Sequence, residues 1–267
     1  MKVSAVLAVR DEAAMIEGAL RTVSFCDEII VVIDDRTTDA TRELALRHTD
    51  HVHVVPFTGF GELKNVGVRH ATGEWIVFCD GDERVTPRLA NQFLAQVRRG
   101  TGLWAFRSPT VSFFWGRRMD HGGWERESHI KIVRRDHALH TGEVHERLDI
   151  PPSREGWLDG ERWHFSHRSI EDNLRKTVIY GSLDAAKRNA QGAPKVTALT
   201  VLRVLGLEFG RRMIRRAGWR DGMPGLIESF YQPFGLFCTL VMLWELQQQG
   251  RITQEYAALE QLVQQQV

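Results

Sequence analysis

Three carboxylates fall within four positions at Asp80-Gly81-Asp82-Glu83, directly after the apolar run Trp75-Ile76-Val77-Phe78-Cys79. A buried strand that opens into so much negative charge is unfavourable unless a cation or a set of donors meets it, and open α/β sheets hold ligands at that edge. Hard oxygen donors such as Asp80 and Asp82 suit Mg2+ or Mn2+ bridging the phosphate oxygens of a nucleoside diphosphate. In an extended D-x-D the outer residues share a face, and Gly81 lets backbone come close; Asp82 is the better direct ligand. The competing reading is a solvated acidic turn that starts the next helix.

Two more strand ends are acidic. Asp11 and Glu12 follow the first apolar run and Asp34 and Asp35 the second, so neighbouring carboxyl ends would repel one another without a positive ligand or amide donors. Asp34 can accept a hydrogen bond from the N3 proton of a pyrimidine, and Asp39 reads as a helix cap. Glu12 stays open between a helix-start acid and a ligand contact. Lys64 and Arg69 flank this floor, either as partners for diphosphate oxygens or as solvated surface.

Such residues need a scaffold that gathers strand ends. Val3 to Val9 reads as strand, and Ala14 to Val23 as a helix striped by Ile16, Ala19, Leu20 and Val23. Ile29 to Ile33, a helix from Thr38 or Asp39 through Arg47, and a strand over His51 to Val55 repeat the pattern. A short helix over Leu63 to His70 leads into the strand ending at Cys79, and Thr86-Pro87 starts a helix through Arg99. This alternation predicts an α/β fold: a Rossmann-like, mainly parallel sheet with helices on both faces.

After Gly100 the alternation stops. Leu103 to Arg107, Val111 to Trp115 and Ile130 to Val133 read as strands, and seven of the eleven histidines lie between His121 and His167, in loops suited to specificity. Ser169-Ile170-Glu171-Asp172 opens a long helix through a capping box, and the rest reads as helix, interrupted at Gly192-Ala193-Pro194 and Gly222-Met223-Pro224. The predicted boundary falls near Arg168, between a catalytic domain over 1–168 and a C-terminal helical region over 169–267.

Composition narrows the class. With 267 residues, 43% hydrophobic and 26% charged, the chain can form a sizeable core and is not a disordered sequence. A net charge of +1 gives no global drive toward nucleic acid. Cys26, Cys79 and Cys238 form no C-x-x-C pair, which argues against a zinc ribbon or disulfide framework and fits a reducing, cytoplasmic setting. Met1 to Arg10 reads as strand, not leader, and the uncharged run Phe234 to Trp244 is shorter than the roughly 20 residues a bilayer requires, so no transmembrane helix is expected. Arg203, Arg211, Arg212, Arg215, Arg216 and Arg220 stand among leucines and aromatics, a composition suited to the inner face of an anionic membrane. Leu226 to Leu246, with a kink expected at Pro233, would dip into that interface or join subunits of a homo-oligomer; a plain bundle on the catalytic domain is the competing reading.

Taken together, Ala8-Val9-Arg10-Asp11-Glu12, the run Ile29 to Asp35 with Thr37-Thr38-Asp39-Ala40-Thr41, Lys64-Asn65, and Ala71-Thr72-Gly73-Glu74-Trp75 leading to the D-x-D resemble the inverting family 2 glycosyltransferases of the GT-A fold. His121-Gly122-Gly123-Trp124, Arg134-Arg135, Val144-His145-Glu146, His164-Phe165-Ser166 and Gly218-Trp219-Arg220-Asp221-Gly222 resemble the branch that adds β-1,4-linked glucose to the lipopolysaccharide inner core. The resemblance implies that Ala8, Arg10, Glu12 and Asp34 line a nucleoside pocket and that Lys64 lies near ribose or diphosphate. It implies too that Asp80, Gly81 and Asp82 hold the donor and its metal, with His164 either completing the metal shell, as a late histidine does in some GT-A enzymes, or serving as a hydrogen-bonded structural residue. Arg36 stands where the family usually has glycine, Asp11 where it has asparagine, and Asp120 where the branch is basic.

Inverting transfer needs a carboxylate across the sugar from Asp82 to take the acceptor proton. Glu146 is the first candidate, with Glu125 and Asp120 behind it; an ion pair of Glu146 with Arg134 or Arg135 is the structural alternative. Trp124 offers a flat face for an acceptor sugar, or core packing, with His121 and His145 as further acceptor candidates. The expected activity is transfer of a hexose, glucose first, from a UDP-sugar to a saccharide or lipid-linked hydroxyl. The alternatives are a nucleotide-sugar-binding scaffold without catalysis, and a nucleotidyltransferase, whose Gly-rich phosphate loop is missing near the first strand.

Overall fold

The computed structural model describes residues 1–125, 127–141 and 147–264. They form two compact units, Met1–Arg118 with Trp124–Ser166, and Met119–Gly123 with His167–Val267.

The first unit is built on one mixed sheet. Its strands are β1 (Val3–Val9), β2 (Glu28–Asp34), β3 (Val52–Val55), β4 (Trp75–Phe78), β5 (Glu83–Val85), β6 (Ala105–Phe114), β7 (Arg117–Arg118) and β8 (Ser128–Arg134). A separate ribbon pairs β9 (His140–Thr141) with β10 (Arg147–Leu148), and β11 (Glu155–Trp157) and β12 (Arg162–His164) return to the main sheet. The order is β3-β2-β1-β4-β8-β6-β12-β5, with β7 and β11 also paired to β6. β1 to β4 are mutually parallel, as the alternation predicts. Beyond β4 the sheet becomes mixed: β11 and β12 pair parallel with β6, whereas β8 runs antiparallel to both β4 and β6, and β5 antiparallel to β12. β6 and β8 are joined without a crossover helix, and such a connection can only reverse the chain.

Period-two alternation sorts the core. Along β1, Val3, Ala5, Leu7 and Val9 face one layer with α1 (Ile16–Thr22), α2 (Thr41–Ala45) and α4 (Pro87–Arg98), while Val6 faces the other with α3 (Phe60–His70). Both faces are therefore covered and the strands are apolar on both sides. Thr86 caps α4, its Oγ1 accepting from Leu89 N at 3.3 Å ahead of Pro87. Gly67 lets α3 lie against β1, because a Cβ there would run into the Val6 side chain. At the amino edge of β1 and β2, Glu28 accepts from Lys2 Nζ (2.8 Å), Ser4 Oγ (2.5 Å) and Thr72 N (2.6 Å), tying three segments together.

The second unit is helical: α5 (Ile170–Ala190), α6 (Ala198–Phe209), a π-helical turn (Gly210–Arg215) and α7 (Gly222–Gln264). Ala185, Val196, Leu240 and Leu243 form its small core, and His167 Nδ1 meets Glu228 Oε1 at 2.5 Å. The expected break at Gly222-Met223-Pro224 is the start of α7, which continues through a buried Pro233 for 43 residues, about 65 Å. Contrary to the sequence expectation, one stretch, Gly218–Gln264, holds a window long and apolar enough, by length and composition, to cross a bilayer, and 33% of that window is buried.

Candidate active site

The carboxyl ends of β1, β2 and β4 bring the predicted acids to one rim, and each acid has a distinct set of partners. Lys131, on β8, reaches Asp80 Oδ2 at 2.5 Å and Glu83 Oε2 at 3.2 Å. Glu83 also accepts from Asp80 N at 3.0 Å, and Arg162 Nε lies 3.7 Å from its Oε2. Burial opposes ionisation of Asp80, but Lys131 and then Lys64 outweigh it and hold the carboxyl far below its ordinary range. Burial likewise opposes the charge on Lys131, and Asp80 and Glu83 reverse that, driving its pKa up. The acidic edge is thus compensated from within by a lysine in the middle of β8, a residue that sequence reasoning did not single out. Arg162 was also missed: it is fully buried, and its three guanidinium nitrogens have no hydrogen-bond partner among the described residues.

Asp82 sits beside β12. Phe165 N donates to its carbonyl at 2.8 Å, and the β5–β12 register sets His164 opposite Glu83, so that His164 Nε2 lies 3.4 Å from Asp82 Oδ2. Burial would depress the His164 imidazolium, but the bond to Asp82 dominates and raises its pKa. Gly81 is where the loop after β1 comes closest: a Cβ there would sit 2.9 Å from Glu12 Cγ. No group of three or more His, Cys, Asp or Glu side chains is poised around one point among the described residues. Asp82 and His164 thus offer two protein ligands, a set that fits Mg2+ or Mn2+ sharing its shell with phosphate and water, and does not fit a closed structural metal site.

The nucleoside-side residues are also placed. Asp34, 1% exposed, accepts from Arg36 N and Nε at 2.9 Å each through Oδ1, and from Arg36 Nη2 at 2.5 Å through Oδ2. These bonds hold its carboxyl below the ordinary range, and the Arg36 guanidinium lies 4.0 Å over the Phe57 ring. The residue in the family's glycine position therefore occupies both oxygens expected to read the base. Asp11, at φ 48°, accepts from Thr38 N (2.8 Å), and Arg10 Nε lies 3.2 Å from it. Asp39 accepts from Ala13 N (2.9 Å) and Thr41 N (3.0 Å), but the N-cap of α2 is Ala40, without a side-chain bond, so Asp39 ties the loop after β1 to the start of α2 and is not the expected cap; Glu12 N donates to Thr41 Oγ1 (2.8 Å). Ala8 pairs with Val32 inside the sheet.

On α3, Lys64 faces this rim, where its charge acts on Asp80 and on His140. Arg69 is instead ion-paired to Glu62 on the helix surface. His140, clamped through its backbone by Asn65 (2.7 and 3.0 Å), is kept neutral by burial, then by Lys64 and Lys131, with its pKa lowered to about 4.

The acceptor candidates divide between the units. Trp124 and Glu125 belong to the first, where Trp124 stands edge-on to Phe114 at 4.7 Å and Glu125 is exposed. Asp120 and His121 belong to the second. His121 is held in place there: its N and Nδ1 both meet the buried Asp221 carboxylate at 2.8 Å. His145 and the base candidate Glu146 lie outside the described residues.

A sheet with helices on both faces, acids gathered at its carboxyl rim and a helical C-terminal region give the chain a GT-A-like architecture. Residues 4–146 match the glycosyl transferase family 2 model, and the chain belongs to that family. It is 21% identical over 261 residues to an uncharacterized glycosyltransferase of Rickettsia typhi, covering 94% of this chain and 89% of that one. A mycobacterial protein of known crystal structure shares the fold at TM-score 0.50 and 17% identity, over 73% of this chain and 76% of that one. Glucosyl-3-phosphoglycerate synthase of Mycobacterium tuberculosis, crystallised with Mn2+, UDP and glucosyl-3-phosphoglycerate, aligns at TM-score 0.49 and 18% identity over 73% and 81% of the two chains.

Proposed function

We propose that this glycosyltransferase moves a hexose, glucose as the first candidate, from a UDP-sugar to a hydroxyl of a saccharide or lipid-linked acceptor such as lipopolysaccharide core, with inversion. The observation that carries the reading is the Asp82–His164 pair, 3.4 Å apart, beside an Asp80 already neutralised by Lys131. Asp82 and His164 would hold the ion, and Lys64 and Lys131 would supply the positive field that a diphosphate needs. A bound Mg2+ or Mn2+ supplies charge neutralisation for the leaving diphosphate. The acceptor hydroxyl loses its proton to a carboxylate, Glu146 as first candidate, while its oxygen attacks the anomeric carbon and the bond to the diphosphate breaks. A lipid-linked acceptor agrees with peripheral placement on the cytoplasmic face of a membrane.

Hydrolysis of a UDP-sugar panel with Mg2+ or Mn2+ tests the site. The wild type is expected to release UDP from one sugar preferentially, and Asp82→Ala to lose about a hundredfold or more of that rate. Equal turnover by both proteins rejects the assignment. Glu146→Gln is expected to bind UDP normally while transfer collapses; near-normal transfer removes Glu146 as the base.

A further inference from the structure

The second unit sorts charge from apolar area. Between Ala198 and Trp244 the chain has six arginines and three acids, Glu208, Asp221 and Glu228. All three acids are engaged within the unit: Glu208 by Arg211 and Arg212 (2.6 Å each), Asp221 by His121, and Glu228 by His167. Asp221 and Glu228 are 3% and 2% exposed, and the Glu208 side chain 13%. The outward charge of this segment is therefore positive.

The same segment exposes large apolar side chains. No residue of α6 is buried, and Leu202 is 68%, Ile214 73% and Trp219 58% exposed, with Arg203 and Arg215 exposed between them. A helix facing only water would carry acids and bases in place of these groups. A second copy is a poor cover, because a twofold contact of this segment with itself would set arginine against arginine with no exposed acid between Ala198 and Trp244 to answer. An anionic bilayer surface complements both properties: acyl chains receive Leu202, Ile214 and Trp219, and lipid phosphates receive the guanidinium groups.

We propose that α6, the π-helical turn and the start of α7 form a docking surface for an anionic lipid bilayer, lying in its interfacial plane. This deepens the lipid-linked acceptor reading above, yet vesicle binding is measured without any donor sugar, so either can fail alone. The full chain is sedimented with phosphatidylcholine vesicles and with vesicles carrying one-quarter phosphatidylglycerol. Binding to the anionic vesicles should be at least tenfold stronger and be released by high salt. Arg203→Glu with Arg215→Glu should reduce it tenfold or more, with donor hydrolysis unchanged. Leu202→Ser with Ile214→Ser should weaken it while leaving the salt dependence. Equal binding to both vesicle types, binding indifferent to the charge reversal, or pelleting that resists both salt and alkaline carbonate, as a crossing helix would, overturns the proposal. A stable dimer abolished by Leu202→Ser, with no vesicle binding, overturns it in favour of a second copy.

Discussion

Lys131 explains how a rim of carboxylates coexists with a folded chain before any ligand binds. Its ammonium is the short-range counter-charge to Asp80 and to the buried Glu83, so Lys131→Met leaves Arg162, at 3.7 Å, as the cation paired with Glu83 among the described residues. We expect a loss on the order of 3 kcal/mol in urea denaturation, partly recovered in Lys131→Met with Glu83→Gln, since the cost lies in the uncompensated carboxylate. No recovery in the double variant would show that the lysine acts through packing. That Asp80, Asp82 and His164 fall at one rim was expected from acids after a buried run and from the motif around the histidine; their roles there belong to the proposed function. Lys131 was not: one lysine in Ser128-His129-Ile130-Lys131-Ile132 looks like an outward strand position, and only the neighbouring β4 shows which way it points. Arg36 was legible as an unusual residue, but its fork onto Asp34 depends on the turn after β2, which no periodicity encodes.

Elements were most readable where the local pattern and the tertiary environment agree. β1, β2, β4 and α4 lie where apolar runs and the Thr86-Pro87 start place them. Two misjudged elements share a cause. β6 continues from Ala105 to Phe114 through Pro109, where the sequence suggests two strands, because pairing to β8 and β12 supports the chain on both sides of the proline. β5 is Glu83-Arg84-Val85, too charged to read as strand, and exists through its pairing with β12. Helix-on-sheet approach is tight at Gly67. Gly67→Ala should overpack α3 against Val6 and lower stability by about 1–3 kcal/mol in urea, and an unchanged midpoint would mean that α3 shifts to absorb the methyl group.

At the scale of the molecule, the sheet's two edges are held by opposite devices, and the amino edge gives a pH signature. Burial would raise the Glu28 carboxyl, but Lys2, Ser4 and Thr72 outweigh it and lower its pKa from 4.5 to about 2. A depressed carboxyl stabilises the fold above the unfolded value and loses that contribution as pH falls, here between 4.5 and about 2. Glu28→Gln should therefore flatten the acid limb of the stability profile in that window and cost on the order of 1–3 kcal/mol at neutral pH; an unchanged limb assigns acid unfolding elsewhere. The change from alternating strand and helix to helix alone follows the order of patterns, whereas the unbroken length of α7 was hidden, because Pro233 kinks or stops only a helix without tertiary support. The reversed course of β8 has an evolutionary corollary. Its first residue, Ser128, lies on the rim where β1, β2 and β4 finish, so an inbound connection joins the outgoing turns there. That connection can lengthen, shorten or diverge among descendants while the framework before Gly100 stays as it is, giving one ancestral platform room for many dialects of substrate choice.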